Sequence, residues 1–340
     1  MWLGEVFERP LAAADLALVR PSGGGWSNDT WIVTITSKER SVAPQRAVVR
    51  VQPQRLGMFP DYDLGRQFRV LQALEHEPAV PTPRILAEDI AGGRLGRPAF
   101  IMGFVDGRAP SDDRPSFAEA GWLHDATPGQ QRTFQLALLD AIAAVHAVDV
   151  RASGLGWLQS PEGEAPIVAA ISELERTWRF DQGDHAAQDV EHGFVAVAHE
   201  APEPGDAVLL WGDARPANVL CAKAGFNIIA LLDWELASVG SPEFDVAWML
   251  EMNWMRMQGA GLEPLPGFLA DSAAIAYYEA RSGRTLADLR WYRVYAALRV
   301  AVLMHRYLRS LVHVAKMPAD HAVFRDNVGS RRLGDLLAAH

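Results

Sequence analysis

The stretch WGDARPANVL (residues 211–220), followed by NIIALLDWE (227–235), is the part of this sequence that decides its fold. Asp213 and Asn218 form a D-x-x-x-x-N pattern between two apolar runs, and Asp233 follows where a third apolar run ends. Phosphoryl transfer needs such a set, because one carboxylate accepts the proton of the nucleophile while an amide and a second carboxylate hold Mg²⁺. The structural alternative is that the three side chains only cap turns. The pair alone is expected about once by chance in a chain of this length, so the order of strands and polar residues carries the prediction.

Composition places the chain among ordinary globular proteins. It has 340 residues, 49% of them apolar, and a formal net charge of −10. The single cysteine, Cys221, excludes an internal disulfide. The acidic balance argues against a nucleic-acid groove, which needs a basic face. The N-terminal MWLGEVFERP does not resemble a signal peptide, and no window approaches about 18 uncharged apolar residues. We therefore expect a cytoplasmic protein that does not enter a membrane, while its oligomeric state cannot be read from the sequence.

Two textures follow one another along the chain. Strand-like runs such as RAVVRV and AFIMGFV fill the segment from Trp31 to Val105, interrupted by one helix predicted from an Asp63 cap to about Glu75. Beyond Pro115 the spacing predicts mainly helices, near residues 131–149, 167–180, 187–199, 246–258, 267–281, 286–310 and 320–337. Strands are expected among them at 207–211, 218–222 and 227–233. The prediction is an α+β chain with a small lobe at residues 1–105 and a larger helical lobe at 106–340.

The same blocks resemble the aminoglycoside phosphotransferase and choline kinase superfamily. Besides the 211–235 motif, PSGGGWSND (21–29), VPTPRILAED (80–89) and PAFIMGFVDGR (98–108) are similar to family blocks, in the same order, over roughly residues 20–310. The resemblance implies a bilobal protein-kinase-like fold, with a β-rich nucleotide-binding lobe before the helical lobe. It also implies an O-phosphotransferase that uses ATP and Mg²⁺.

The resemblance assigns roles to the residues of the motif. By position, Asp213 is the catalytic base, and Asn218 and Asp233 are ligands of Mg²⁺. Arg215 takes the place of a cation that stabilises charge on the transferred phosphate, although a surface arginine is the structural alternative. Glu235 either assists the metal or caps the following loop.

Nucleotide-binding residues are expected in the first lobe. Glycines without a Cβ allow backbone N–H groups to approach phosphates, whereas a flexible entry to a hairpin is the structural alternative. The positions concerned precede what we predict to be the first strand, and they are Gly23, Gly24, Gly25, Ser27 and Asn28. Met102 and Phe104 belong to a segment similar to the hinge whose backbone reads adenine.

Several residues depart from the family pattern. Arg50 takes the place of the kinase lysine, on the strand face opposite Val49 and Val51. Its expected partner is Gln67, a polar residue in the apolar stripe of the 63–75 helix. Trp211 stands where the family usually has histidine before Gly-Asp. Asp245, by contrast, is similar to a family aspartate near a helix start, and it is predicted to cap that helix.

The acceptor does not follow from the motif. A hydroxylated small molecule bound by insertions near residues 155–205 and 250–270 is expected, with aminoglycosides as one class. The blocks VVRVQP, WGDAR and DWE look closer to the kinase-like domains fused to acyl-CoA dehydrogenases, which makes a hydroxyacyl-CoA the alternative. A catalytically silent nucleotide-binding protein is the alternative of another class.

Overall fold

A computed structural model describes residues 2–21, 29–36, 44–54, 59–160, 164–180, 187–203 and 205–339. The predicted phosphate-binding positions Gly23, Gly24, Gly25, Ser27 and Asn28 lie outside these residues. Within these ranges, every helix is too short or too polar to cross a lipid bilayer.

The chain has the bilobal, protein-kinase-like α+β fold that the family resemblance implied. Its strand-rich N-terminal part is one antiparallel sheet, ordered β1-β2-β3-β5-β4. The strands are β1 (Leu16–Val19), β2 (Asp29–Ile35), β3 (Gln45–Val51), β4 (Ile85–Asp89) and β5 (Ala99–Gly103). The helices of this part are α1 (Trp2–Val6) and α2 (Leu64–Leu74). The Asp63 side chain accepts a hydrogen bond of 2.8 Å from Gly65 N, so the predicted cap of α2 is confirmed.

The alternation of side chains in β3 and β5 gives the sheet two different faces. Ala47, Val49 and Val51 pack with Ile101 and the residues around α1. Phe100, one position along β5, belongs to the core that includes α2. Since successive side chains point to opposite faces of a strand, Arg50 lies on the α2 face, as the alternation predicted.

The C-terminal part is mainly helical and surrounds two small sheets. Its helices are α3 (Pro128–His146), α4 (Pro166–Arg179), α5 (Gln188–His199), α6 (Glu243–Arg256), α7 (Asp271–Ser282), α8 (Arg290–His313) and α9 (Val328–Ala338). Its strands are β6 (Gly107–Arg108), β7 (Val208–Leu210), β8 (Val219–Ala222), β9 (Ile228–Leu231) and β10 (Ser238–Gly240). Strand β7 pairs with β10, and β8 lies between β6 and β9. Both pairings bring the two halves of the 211–235 motif together.

One expectation about the sheet is wrong. The glycine-rich segment does not precede the first strand, because β1 comes before it and pairs antiparallel with β2, Leu16 opposite Ile35. The segment therefore connects two paired strands. Strand β1 escaped prediction because it is an edge strand whose Leu18 and Val19 side chains are exposed, so it lacks the alternation of a half-buried strand.

Candidate active site

Asp213 lies in the loop between β7 and β8, where three side chains donate hydrogen bonds to its carboxylate. Asn218 Nδ2 and Arg215 Nε lie 2.7 Å and 2.9 Å from Oδ2, and Trp248 Nε1 lies 2.7 Å from Oδ1. Asn218 Nδ2 also donates to the Asp213 carbonyl oxygen at 3.0 Å. An ionised carboxylate offers about four acceptor positions. Oδ1 therefore keeps one lone pair that no donor from the described residues occupies.

The environment of Asp213 suits a residue that gains and loses a proton near neutral pH. Burial raises the pKa of Asp213 to about 6, and the charge of Asp233 adds to that shift. Arg299 and the hydrogen bonds from Trp248 and Asn218 oppose it, because they stabilise the ionised carboxylate. A general base works best when its pKa lies near the operating pH.

Asp233 follows β9 and faces Arg50 across the two parts of the chain. Its backbone is left-handed, with φ 61° and ψ 62°, a conformation that aspartate tolerates better than most residues. Arg50 Nη2 donates to Asp233 Oδ1 at 2.8 Å. Although burial acts to lower the pKa of Arg50, the neighbouring charges led by Asp233 raise it above its usual value. The predicted phosphate-binding arginine thus contacts the predicted metal ligand directly.

The predicted hydrogen bond between Arg50 and Gln67 is wrong. Gln67 is completely buried in α2, yet neither its Oε1 nor its Nε2 has a hydrogen-bond partner in the described parts of the chain. The Arg50 guanidinium contacts Asp233 instead, because an ion pair with a largely buried carboxylate is stronger than a hydrogen bond to a neutral amide.

The oxygen atoms left over beside Asp213 fit a hard divalent cation. Asn218 uses its Nδ2 on Asp213, and its Oδ1 accepts no hydrogen bond from the residues described. Asp233 Oδ1 takes Arg50, and its Oδ2 has no donor within the same ranges. Amide and carboxylate oxygens are ligands that Mg²⁺ prefers. Within those ranges, this site included, no group of three or more His, Cys, Asp or Glu side chains is arranged to hold a metal, so a cation here would depend on the amide oxygen of Asn218 as well as on carboxylates.

Glu235 lies two residues beyond Asp233 in a short 3₁₀ turn, Trp234–Leu236. It is half-buried, and its charge acts on both Arg50 and Arg215. It therefore lies within electrostatic range of the site, and its contact with a metal stays a prediction.

Asp245 anchors the loop that carries Asp213, and its predicted role as a helix cap is wrong. It lies in the first turn of α6, but its Oδ2 accepts from Trp211 N at 2.7 Å and its Oδ1 from Gly212 N at 2.9 Å. His146 Nε2 lies 3.2 Å from Oδ2, and its Nδ1 lies 2.6 Å from the Tyr278 hydroxyl. This fully buried network fixes the backbone just before Asp213.

Trp211, which replaces the usual histidine, is a buried packing residue. Its indole N–H donates to the Leu232 carbonyl at 2.7 Å, and its ring centroid lies 5.9 Å from that of Trp234. These contacts join the segment before Asp213 to the segment around Asp233. The tryptophan thus holds the two halves of the motif together through packing and one hydrogen bond.

Arg215 connects the loop that carries Asp213 to Asp112, which lies shortly after β6. Besides Asp213, it contacts Asp112 through Nη1, and Arg256 Nη2 lies 3.1 Å from the same Asp112 carboxylate. Burial lowers the pKa of Arg215 to about 10, with Asp233 opposing that shift. The alternative interpretation of Arg215 as a surface arginine is wrong, because its side chain is only 22% exposed.

The remaining nucleotide-side candidates lie on and after β5. Met102 is buried in β5 opposite Val48 of β3. Phe104 follows the strand, half-buried, with the Arg46 guanidinium 3.5 Å from its ring centroid. Helix α2 reaches the other part of the chain through Arg66, whose Nη2 donates to the Ala237 carbonyl at 2.7 Å.

Trp248 and Arg299 contact the motif but were missed by sequence reasoning. Arg299 Nη2 donates to the Gly212 carbonyl at 2.8 Å, and its guanidinium lies 4.2 Å from the centre of a Trp248 ring. Trp248 is three residues after Asp245, so both face the same side of α6. That spacing was the available signal, but a tryptophan in an apolar helix is usually a core residue.

Sequence comparison links the chain to enzymes of phosphoryl transfer. The model of the phosphotransferase enzyme family matches residues 18–295. Acyl-CoA dehydrogenase family member 11 of Gallus gallus is 25% identical over 245 residues, covering 70% of this chain and 28% of that protein. Acyl-CoA dehydrogenase family member 10 of Mus musculus is 24% identical over 224 residues, covering 66% and 19%. This chain therefore spans less than a third of the length of these relatives.

Solved structures share the fold at low sequence identity. A Ralstonia eutropha protein classed provisionally as an aminoglycoside phosphotransferase superposes with a TM-score of 0.69 at 20% identity, covering 94% of this chain and 93% of that one. The choline kinase LicA of Streptococcus pneumoniae gives 0.59 at 11%, covering 96% and 95%. A ternary complex of aminoglycoside phosphotransferase APH(4)-Ia with AMP-PNP and hygromycin B gives 0.57 at 16%, covering 99% and 97%.

Proposed function

This chain belongs to the phosphotransferase enzyme family, and from that premise we propose that it transfers the γ-phosphate of ATP to a hydroxyl group of a small molecule in a Mg²⁺-dependent reaction. The observation that carries the proposal is the Asp213 carboxylate, held by three donors with one lone pair of Oδ1 left over. The unpartnered oxygens of Asn218 and Asp233 lie in the same motif and support a metal there.

In this proposal, each residue of the motif has one task. Asp213 Oδ1 accepts the proton of the acceptor hydroxyl while the acceptor oxygen bonds to the γ-phosphorus. The bond between that phosphorus and the bridging oxygen of the β-phosphate breaks, and ADP leaves. Arg215 stabilises the negative charge on the transferred group. Asn218 and Asp233, with Glu235 nearby, would hold Mg²⁺, which neutralises charge on the phosphates.

We place the nucleotide between the part at residues 1–105 and the part at 106–340. Its phosphates would lie near Arg50 and the segment from Gly23 to Asn28, and its adenine near the backbone from Met102 to Phe104. The AMP-PNP complex of a structural neighbour supports a nucleotide in this fold. The acceptor would bind near residues 155–205 and 250–270, which belong to the helical part.

ADP release from Mg-ATP tests the proposal across aminoglycosides, choline, sugars and hydroxyacyl-CoAs. Asp213→Asn should lower acceptor-dependent turnover about 10²- to 10⁴-fold, the usual contribution of a general base. Asp125→Asn is the matched control, because this aspartate is exposed and its one ion pair among the described residues is with His124. A fully active Asp213→Asn enzyme would contradict the mechanism.

A hydroxyacyl-CoA is the second candidate acceptor. Two relatives that this chain matches over part of their length are named acyl-CoA dehydrogenases. Those names favour an acyl-CoA as the acceptor of the matching part. Turnover confined to that member of the panel would establish it. Binding of Mg-ATP without ADP release from any acceptor would instead support a silent nucleotide-binding protein.

A further inference from the structure

Three arginine side chains gather around Asp213 in a chain whose net charge is −10. Arg215 contacts Asp213, Arg299 donates to the neighbouring Gly212 carbonyl, and Arg256 pairs with Asp112, which Arg215 also contacts. Burial is the largest influence on the pKa of Arg215, and the charges of Arg256 and Arg299 also act on it. The three cations thus share one small region beside the proposed base.

Arg256 has hydrogen-bond donors without acceptors. It ends helix α6, and its one ion pair in the described residues joins Nη2 to Asp112. Its Nε is buried and has no hydrogen-bond partner there. A buried donor without an acceptor costs stability, and a ligand that brings an acceptor to Arg256 would offset that cost.

Arg299 also has N–H donors to which the described residues give no acceptor. Its Nη2 donates to the Gly212 carbonyl, its guanidinium packs on Trp248, and the described residues supply no further acceptor to it. An arginine carries five N–H donors in a planar fork that matches a carboxylate or phosphate. Packing on Trp248 fixes the plane of that fork, which prepares it for such a ligand.

The carboxylates around the three arginines are already engaged or exposed. Asp213 acts on Arg256, and Asp233 and Glu235 act on Arg215, but all three have roles in the proposed function. Asp112 is shared between Arg215 and Arg256. Asp113 and Glu119 act on Arg256 electrostatically, but both are exposed to solvent. The deeply buried Glu251, further along α6, is taken by Arg293 and Arg332 through hydrogen bonds. Apart from Asp213, Asp233 and Glu235, the described residues near Asp213 therefore offer no unpaired buried carboxylate for a polycationic acceptor.

We propose that Arg256 and Arg299 form an oxyanion subsite beside Asp213, which takes a carboxylate or phosphate group carried by the acceptor a few bonds from its reacting hydroxyl. The inference rests on the proposed function and names the chemical class of its acceptor. Both arginines belong to the helical part, on α6 and α8, whereas the proposed nucleotide contacts come from the sheet. Hydroxy acids and phosphorylated alcohols are the two sources of such an oxyanion.

Turnover of matched acceptors tests the subsite. Hydroxy acids are compared with their primary amides, and hydroxyalkyl phosphates with the neutral parent diols. We expect the charged member of a pair to have a KM about tenfold or more below that of its neutral analogue. Arg256→Gln and Arg299→Gln should abolish this preference, and Arg256→Lys should restore part of it. Arg331→Gln, which removes an exposed arginine paired with Asp326, should leave it unchanged.

Direct binding gives a readout that does not need turnover. Inorganic phosphate and glycolate are titrated calorimetrically into the wild type with saturating Mg-AMP-PNP, so that all three nucleotide phosphate positions are filled. Binding that weakens about tenfold in the Arg256→Gln, Arg299→Gln double variant supports the subsite. Equal binding by both proteins overturns it, whether or not any acceptor is turned over.

The two proposals fail in different ways. ADP release that shows no preference for charged acceptors overturns the subsite and leaves the phosphotransferase intact. A substitution at Arg256 that raises the KM for ATP and not for the acceptor also overturns it. Absence of both ADP binding and ADP release overturns the phosphotransferase and the subsite together.

Discussion

Arg50 Nη2 lies 2.8 Å from Asp233 Oδ1, so one ion pair joins strand β3 of the sheet to the segment that follows β9. Both side chains are largely buried, at 11% and 15% exposure. If a nucleotide places its phosphates and a metal here, Arg50 would contact the phosphates and Asp233 the metal. Both side chains would do so while they also contact each other. The pair therefore couples the nucleotide side of the proposed site to its metal side.

Replacing Arg50 should weaken nucleotide binding. Arg50→Met leaves Asp233 without its cation and removes the donors for phosphate, so the KM for ATP should rise about tenfold or more. Arg50→Lys keeps the charge but loses the planar guanidinium, so its KM for ATP should lie between those of the wild type and Arg50→Met. Steady-state ADP release at varied ATP concentration measures the KM of each variant. Arg94→Met, which removes an exposed arginine paired with Glu5, serves as the control. An unchanged KM for ATP in Arg50→Met would contradict the assignment.

Removing the indole donor from Asp213 should move the pH dependence of turnover. Trp248 Nε1 stabilises the ionised carboxylate, so Trp248→Phe should raise the pKa of Asp213 above its value of about 6. A hydrogen bond to a charged group contributes about 1.5 to 3 kcal/mol, which corresponds to about one to two pKa units. Because the base must be ionised, activity should be lost as pH falls, and in the variant this loss should begin at higher pH.

The matched control for that prediction is Trp254→Phe. Trp254 lies on the same helix, packs 4.2 Å from the Arg332 guanidinium, and its indole N–H has no hydrogen bond within the described chain. In a pH–rate profile, Trp254→Phe should lose activity over the same acidic pH range as the wild type. If Trp248→Phe also loses activity over that same range, the Trp248 indole does not affect the pKa of Asp213.

Asp245→Asn should loosen the loop that carries Asp213. The wild-type carboxylate accepts from the amides of Trp211 and Gly212 with separate oxygens. Asparagine has one acceptor oxygen, so one buried amide loses its partner, at a cost of about 1 to 3 kcal/mol. Urea unfolding should show this loss together with a lower kcat. Asp271→Asn, in the first turn of α7 and half-exposed, should change neither quantity by a comparable amount.

Gly212→Ala should be poorly tolerated for two reasons. Gly212 has a φ of 85°, and a Cβ there would lie 2.1 Å from the Leu236 carbonyl oxygen. Gly283 has a φ of 68° but no atom within 4 Å of an added Cβ. Gly283→Ala therefore measures left-handed strain alone, about 1 to 2 kcal/mol. In thermal unfolding, the melting temperature of Gly212→Ala should be well below that of Gly283→Ala. Equal melting temperatures would show that the loop can move to make room for the Cβ.

Sequence reasoning found what short-range pattern controls. Asp213, Asn218 and Asp233 stand at the ends of short apolar strands, so antiparallel pairing of β8 with β9 brings the segments that carry them together. The face of Arg50 followed from alternation with Val49 along β3. The start of α2 followed from the preference for aspartate at a helix N-terminus.

The partners of these residues were beyond the same reasoning. Arg50 meets Asp233, which is 183 positions away, instead of the buried amide of Gln67. No local periodicity carries information about such a contact, because it depends on how the two parts of the chain pack. Asp245 looked like a cap for the same reason, since the amides that it accepts from belong to a loop 33 and 34 positions earlier.

The left-handed backbone of Asp233 affects how its replacement by alanine would be interpreted. Alanine adopts φ 61° less readily than aspartate does. An inactive Asp233→Ala enzyme would therefore combine a missing carboxylate with a displaced backbone, and the loss of activity could not be assigned to either change alone. Asparagine tolerates the same backbone and removes only the negative charge, whereas glycine removes the whole side chain without strain. The pair Asp233→Asn and Asp233→Gly separates charge from chain geometry at this position.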